Sequence, residues 1–178
     1  MPFSSVLGAS SVIKPGVCTS TTRPSVPYDG QMIYETDTNL VKVYESAAWV
    51  TVGPSALTTA TVATSQSTSS TSYVDLATAG PAVTLTTGTQ VLVFTNTEVS
   101  TASGRYVFAD FAISGATTRA ASDDTCVKAG DDTNAVQFRI GVANLMTVTA
   151  GSNTFTMKYR TNAGTSSFLN RSIVVVAL

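Results

Sequence analysis

The chain is 178 residues long and 43% hydrophobic, with room for one large or two small domains. Charged residues make up only 12%, and 10 Lys plus Arg nearly balance 11 Asp plus Glu, so there is no basic excess to attract nucleic acid or an anionic membrane. Histidine is absent, which excludes Ser-His-Asp and Cys-His catalysis, imidazole acid–base chemistry and His-ligated metals.

The first stretch, Met1 to Pro27, is rich in Ser, Thr, Gly and Pro. Pro2, Pro15, Pro24 and Pro27 each remove a backbone donor and hold the preceding residue extended, so the segment reads as an arm. No cationic run precedes an apolar stretch here, so no secretory signal is expected. Apolar runs elsewhere, such as Ile173 to Leu178, fall far short of the roughly 20 residues of a membrane-spanning helix. Cys18 and Cys126 lie too far apart for a CxxC pair or a zinc site. Two unpaired thiols are expected, with a disulfide between them as the alternative.

From Gly30 the pattern is strand, turn, strand. Gln31–Thr36, Leu40–Glu45 and Trp49–Val52 read as a three-stranded meander closing at Gly53-Pro54. So few short strands are marginal alone, and Tyr34, Tyr44 and Trp49 are expected to form a small aromatic cluster that also packs on a partner. Residues 54–71 are nearly all Ser, Thr and Ala without a charge. They read as a linker, with a helix as the weaker alternative because Thr and Ser compete for backbone hydrogen bonds.

Beyond Ser72, eight strand-like runs follow, with no helical periodicity. They are Tyr73–Thr78, Ala82–Thr86, Gln90–Thr97, Gly104–Ser114, Thr125–Ala129, Ala135–Gly141, Asn153–Thr161 and Phe168–Ala177. The chain is therefore expected to be all-β, with a body at 72–178 that is a two-sheet sandwich or jelly roll. Thr154–Arg160 and Ala135–Ile140 alternate apolar with polar, as half-buried strands do. Other strands are apolar on both sides. Val107, Ala109, Phe111 and Ile113 oppose Tyr106, Phe108, Asp110 and Ala112; Ile173, Val175 and Ala177 oppose Val174, Val176 and Leu178; Val91 to Phe94 behaves likewise. A lone two-layer sandwich has one dry face per sheet, so these strands call for a second cover. Either an oligomer interface supplies it, or loops of the same chain do.

Catalytic and metal-binding patterns are weak. Asp123, Asp124, Asp131 and Asp132 offer oxygen ligands for calcium, but the spacing is not that of an EF-hand, and turn-forming roles account for all four. Asp110, Glu98 and Asp75 show no spacing that singles out a glycosidase pair. Asn170-Arg171-Ser172 fits a glycosylation acceptor pattern without a secretory context. No catalytic residue, cofactor or metal is expected, and the chain is read as a non-enzyme.

The stretch Lys14-Pro15-Gly16-Val17-Cys18-Thr19-Ser20-Thr21-Thr22-Arg23-Pro24, then Pro27-Tyr28-Asp29-Gly30-Gln31-Met32-Ile33-Tyr34-Glu35-Thr36-Asp37-Thr38-Asn39, ending in Ala48-Trp49-Val50, resembles an N-terminal module of structural proteins of tailed bacteriophages. The body, through its strand rhythm, Gly104 to Phe108 and the Ile173–Leu178 finish, is similar to the trimeric jelly-roll heads of such proteins and to tumour-necrosis-factor-like and C1q-like folds. The resemblance implies a capsid decoration or cement protein on the virion surface, assembled in the host cytoplasm. In it residues 1–53 bind the major capsid protein or another virion protein, and 72–178 form an outward homotrimer. On this reading Arg23, Pro24, Tyr34, Tyr44 and Trp49 are candidate anchor residues, and Tyr106, Phe108, Val174 and Val176 candidate trimer contacts. The alternative is a short head or tail fibre recognising a host surface glycan; nucleic acid and membrane insertion are not expected.

Overall fold

The computed structural model describes residues 15–178; the first part of the expected arm, residues 1–14, lies outside them. The chain divides into two units, Met1–Gly53 and Pro54–Leu178. Every regular element among the described residues is a strand, so the protein is all-β.

The first unit is a four-stranded sheet of β1 (Gly16–Cys18), β2 (Met32–Glu35), β3 (Leu40–Glu45) and β4 (Ala48–Thr51) in that spatial order. β2 to β4 form the expected meander. Ser46 and Ala47, both at positive φ (50° and 64°), make the two-residue turn whose twist suits a hairpin. The end of the arm is not free: β1 pairs with β2 in parallel. It is fastened by the Asp37 carboxylate, which accepts hydrogen bonds from the Ser20 backbone N–H and hydroxyl.

The second unit contains β5 (Ala56–Val62), β6 (Gln66–Thr68), β7 (Ala82–Thr87), β8 (Gln90–Thr101), β9 (Arg105–Gly115), β10 (Val127–Asp131), β11 (Val136–Thr147), β12 (Gly151–Thr161) and β13 (Ser166–Ala177). Apart from β6, its antiparallel ladders nest. β9 pairs with β10, β8 with β11, β7 with β12 and β5 with β13, as in one long hairpin. Rolling that hairpin adds the β9–β12 and β8–β13 ladders and yields two sheets, β10-β9-β12-β7 and β11-β8-β13-β5. This is the jelly roll. Between the sheets lie Val91, Val93, Phe111, Phe155, Met157, Tyr159, Phe168, Ile173 and Val175, all fully buried.

Two expectations need correction. Residues 54–71 are not a linker, because β5 and β6 both pair with β13 and complete the second sheet. The Thr and Ala that look like low complexity alternate, with Ala56, Thr58, Ala60 and Val62 turned inward and Leu57, Thr59 and Thr61 outward. Small β-branched side chains of this kind suit a pleated edge strand. Tyr73–Thr78, conversely, is not a strand. It touches the sheet at a single bridge, Val74 to Tyr159, and otherwise runs as a covering segment.

Candidate functional site

In the first unit the sheet alternation separates the expected anchor residues. Tyr44 and Trp49 are cross-strand partners whose rings meet edge-on at 5.2 Å. Tyr34 lies opposite Val41, and its parity puts it on the other face, so the three aromatics form no single cluster. The Tyr34 hydroxyl donates to Asn39 Oδ1 at 3.0 Å. Arg23 is drawn inward, its Nε 2.5 Å from Oε1 of the fully buried Glu35, while Thr38 donates to Oε2. The Arg23 hydrogen bond holds the Glu35 carboxyl below its ordinary value. Pro24 is half-buried beside this pair in sequence. The face that carries Tyr34 also carries Val17, Met32, Val41, Val43 and Val50, with Val17 63% and Val50 45% exposed. Val17, Met32 and Val50 were not singled out in the sequence, although plain alternation about Tyr34 marks them.

The candidate trimer contacts also fall apart into two places. Tyr106 and Phe108 lie on the outer face of the β10-β9-β12-β7 sheet. Phe108 is buried within its own unit, with the Arg160 guanidinium 3.5 Å from its ring centroid and the Lys128 ammonium at 5.6 Å. Its neighbour Asp110 is fully buried, ion-paired with Arg119 and bonded to the Ser122 N–H and Thr125 hydroxyl. Loop 116–126 and the segment at Tyr73 thus give this side of β9 the cover its apolar residues required. Tyr106 is half-exposed and donates to Asp132 Oδ1 at 2.9 Å.

Val174 and Val176 belong to a different surface, the outer face of the β11-β8-β13-β5 sheet. Register aligns Leu145, Leu92, Val176 and Leu57 as one aliphatic row across all four strands. The adjacent row is Ala143, Phe94, Val174 and Thr59, and Leu178 extends the column of Val174 and Val176. Leu57 and Leu145 are each 65% exposed, Leu178 49% and Phe94 41%. A groove of about 300 Å³ runs beside Phe94, where Gly141 presents no side chain. The opposite end of the same face is polar. Glu98 accepts from Gln137 and Asn170, and Arg139 donates to Asn96. An apolar centre with a hydrogen-bonded polar border is the anatomy of a protein interface, and monomers seldom leave such a contiguous patch in water.

The remaining sequence candidates have local partners. Asp131 Oδ1 closes a turn by accepting from Thr133 and Asn134, Asp132 takes the Tyr106 hydroxyl, Asp124 neighbours the Ser122 hydroxyl, and Asp123 pairs with Arg160. No group of three or more His, Cys, Asp or Glu is arranged to hold a metal among the described residues. Cys18 and Cys126 are both free and half-buried. Glu98 and Asp110 are on the outer faces of different sheets, Asp110 is paired with Arg119, and Asp75 with Lys158.

One buried group escaped the sequence reading. A bulge between Leu169 and Ser172, with Asn170 at φ 48°, turns Arg171 into the interior, where it is fully buried. Its guanidinium donates to the carbonyls of Thr78 and Gly80 and to Gln66 Oε1, and lies 5.3 Å from the Tyr159 ring centroid. Its Nε has no partner. Arg171 therefore ties β6 and the loop before β7 to β13, and the acceptor-like Asn170-Arg171-Ser172 triplet is a structural bulge.

No protein-family description and no curated protein matches the chain. Solved structures do. Residues amounting to 86% of the chain superpose on 41% of the chain in the crystal structure of the infectious bursal disease virus VP2 subviral particle, at 14% identity and a TM-score of 0.51. A structure of the Gt strain of the same virus matches over 88% of this chain and 39% of the other, at 13% identity and a TM-score of 0.49. The chain thus spans about two fifths of the length of these viral proteins. What the likeness establishes is the fold, an all-β jelly roll of the kind found in a virus particle protein.

Proposed function

We propose that the chain is a non-enzymatic structural component of a virus particle, a capsid decoration or cement protein of a tailed bacteriophage. The body self-associates as a homotrimer through the outer face of the β11-β8-β13-β5 sheet, and the N-terminal unit binds the major capsid protein or another virion protein through the sheet face around Tyr34. The observation that carries this reading is the row Leu145, Leu92, Val176 and Leu57, an apolar strip across four strands with two of its leucines largely in water. The jelly-roll likeness to a subviral-particle protein supports the virion setting. The tailed-phage setting and the stoichiometry of three rest on the resemblance of the Lys14–Val50 motifs and of the body. The internal pairing of Asp75, Asp110 and Asp123 with basic side chains favours a structural role over catalysis.

Two measurements test it. In purified particles, quantitative mass spectrometry is expected to count this protein at a level comparable with the major capsid protein; a handful of copies would replace decoration with a fibre role. The full chain at micromolar concentration is expected to sediment as a trimer, and Leu145→Asp combined with Val176→Asp as a monomer with its jelly roll intact. A wild-type monomer would remove the interface.

A further inference from the structure

The outer face of the β10-β9-β12-β7 sheet, on the opposite side of the sandwich from the apolar face, bears a cleft of about 790 Å³, a size typical of small-molecule sites. Ala112 of β9, with Lys158 and Arg160 of β12, forms its floor; residues 71–75 form one wall and Ala120 to Asp123 the other. Small side chains at Ala112, Ala120 and Ala121 leave the space.

Its polar groups are held in fixed directions. Asp123 is gripped by Arg160, whose Nε donates to Oδ1 at 2.9 Å, and by the Tyr73 hydroxyl at 3.0 Å. Arg160 is itself stacked on Phe108, with Tyr73 5.5 Å away on its guanidinium. At the other end Lys158 Nζ lies 2.6 Å from Asp75 Oδ2, and both remain partly exposed. Hydrogen-bonding capacity is left over: Asp75 Oδ1, two of the three Lys158 protons and the Thr71 hydroxyl.

The charges in the lining cancel, two carboxylates against one ammonium and one guanidinium, each already paired. An anion would add a third negative charge beside Asp75 and Asp123, and a cation a third positive charge beside Lys158 and Arg160. A neutral ligand rich in hydroxyls displaces nothing, since each hydroxyl both donates to a carboxylate and accepts from a basic group, while its C–H faces rest on alanine methyls. A peptide strand would need an unpaired backbone edge, and the floor here is the interior of a sheet. We infer that this cleft binds a neutral saccharide, with Asp75 and Lys158 taking vicinal hydroxyls and Ala112 supporting the ring. The inference goes beyond the particle role and does not rest on it.

The test uses the full-length protein with D-glucose, D-galactose, D-mannose, N-acetylglucosamine and the β1,4-linked dimers of glucose and N-acetylglucosamine, with 3′-sialyllactose and inorganic phosphate as anionic controls. Saturation-transfer NMR and calorimetry are expected to show at least one neutral sugar binding with a Kd of about 0.1–10 mM. Ala112→Leu, which fills the floor from an outward-facing position, is expected to weaken that binding at least about tenfold, and Asp75→Asn about threefold or more, with the melting temperature unchanged. No saturation transfer from any neutral sugar at about 20 mM overturns the inference. So does binding that survives both substitutions, or a preference for the anionic controls.

Discussion

The two units solve the same problem with different means. The body rolls a long hairpin around a core that includes Phe111, Phe155, Met157, Tyr159 and Phe168, none with measurable exposure. Among its described residues the N-terminal unit buries one large aliphatic side chain, Ile33, and beside it a carboxylate, Glu35, that needs Arg23 and Thr38 to be tolerable there. Both leave an apolar sheet face in water. In the body that face is surplus to a complete core; in the small unit it holds much of the apolar surface of the described residues. A sheet of short strands with so little inside is marginal by itself, so covering its Tyr34 face adds stability that the unit otherwise lacks. The body, with its own closed core, does not need that face covered to fold.

Four changes probe the two units, taken from the largest effect down. Phe155→Ala removes a fully buried ring and is expected to cost the body about 3–5 kcal/mol while leaving a cooperative transition. Ile33→Ala costs a comparable amount by the same mechanism, about 2–5 kcal/mol, and is expected to unfold the small unit at zero denaturant. The single tryptophan, Trp49, lies in the small unit, so its fluorescence reports that unit while amide NMR follows the body. If the Ile33→Ala protein keeps native Trp49 emission, the small unit is not marginal.

Arg171 gives the next largest effect and concerns the body alone. Arg171→Ala empties the volume of a buried side chain and is expected to cost about 2–4 kcal/mol. Arg171→Met keeps most of that volume and removes the orphaned Nε but leaves the Thr78, Gly80 and Gln66 oxygens without their donor, so it is expected to lose less than Ala, about 1–2 kcal/mol. Denaturant unfolding separates the two; equal losses would mean that the three carbonyl hydrogen bonds, and not the packing, hold β6 in place.

The smallest effect is the acid sensitivity of the small unit. Because the Arg23 hydrogen bond lowers the Glu35 pKa from its ordinary value of 4.5, the folded unit binds fewer protons than the unfolded one in that range. The contribution is complete above 4.5 and drains away as pH falls through the lower folded value. Trp49 emission is expected to report unfolding in acid before the body changes, and Glu35→Gln to flatten that dependence. A body that unfolds first would reverse the ranking of the two units.

Much of this architecture was readable from strand alternation. Seven of the body strands, the meander and the two-sided character of Val91–Phe94 and Ile173–Leu178 follow from it. The failures have physical causes. At Ala56–Val62, alanine and threonine differ too little in polarity for the period of two to stand out, so an edge strand looked like a tether. In β9 the sequence could not say that loop 116–126 returns over Asp110, or that Lys128 and Arg160 close over Phe108, because that cover is made by residues unremarkable in themselves. The apolar row on the second sheet needed register as well as alternation, since Leu57, Leu92, Leu145 and Val176 come from four strands spread over 120 residues of chain. The bulge at Asn170 shifts inside and outside by one residue, and no sequence rule marks it.

The position of β13 also bears on when the apolar row first exists during synthesis. β13 is the last strand of its sheet to be made, yet it sits between β8 and β5, both made well before it. Until it has left the ribosome, β5 has no partner, Leu57 and Leu92 belong to separate strands, and Val176 is missing from the row. A nascent chain therefore cannot display the assembled surface. The order of translation withholds it until the sandwich closes.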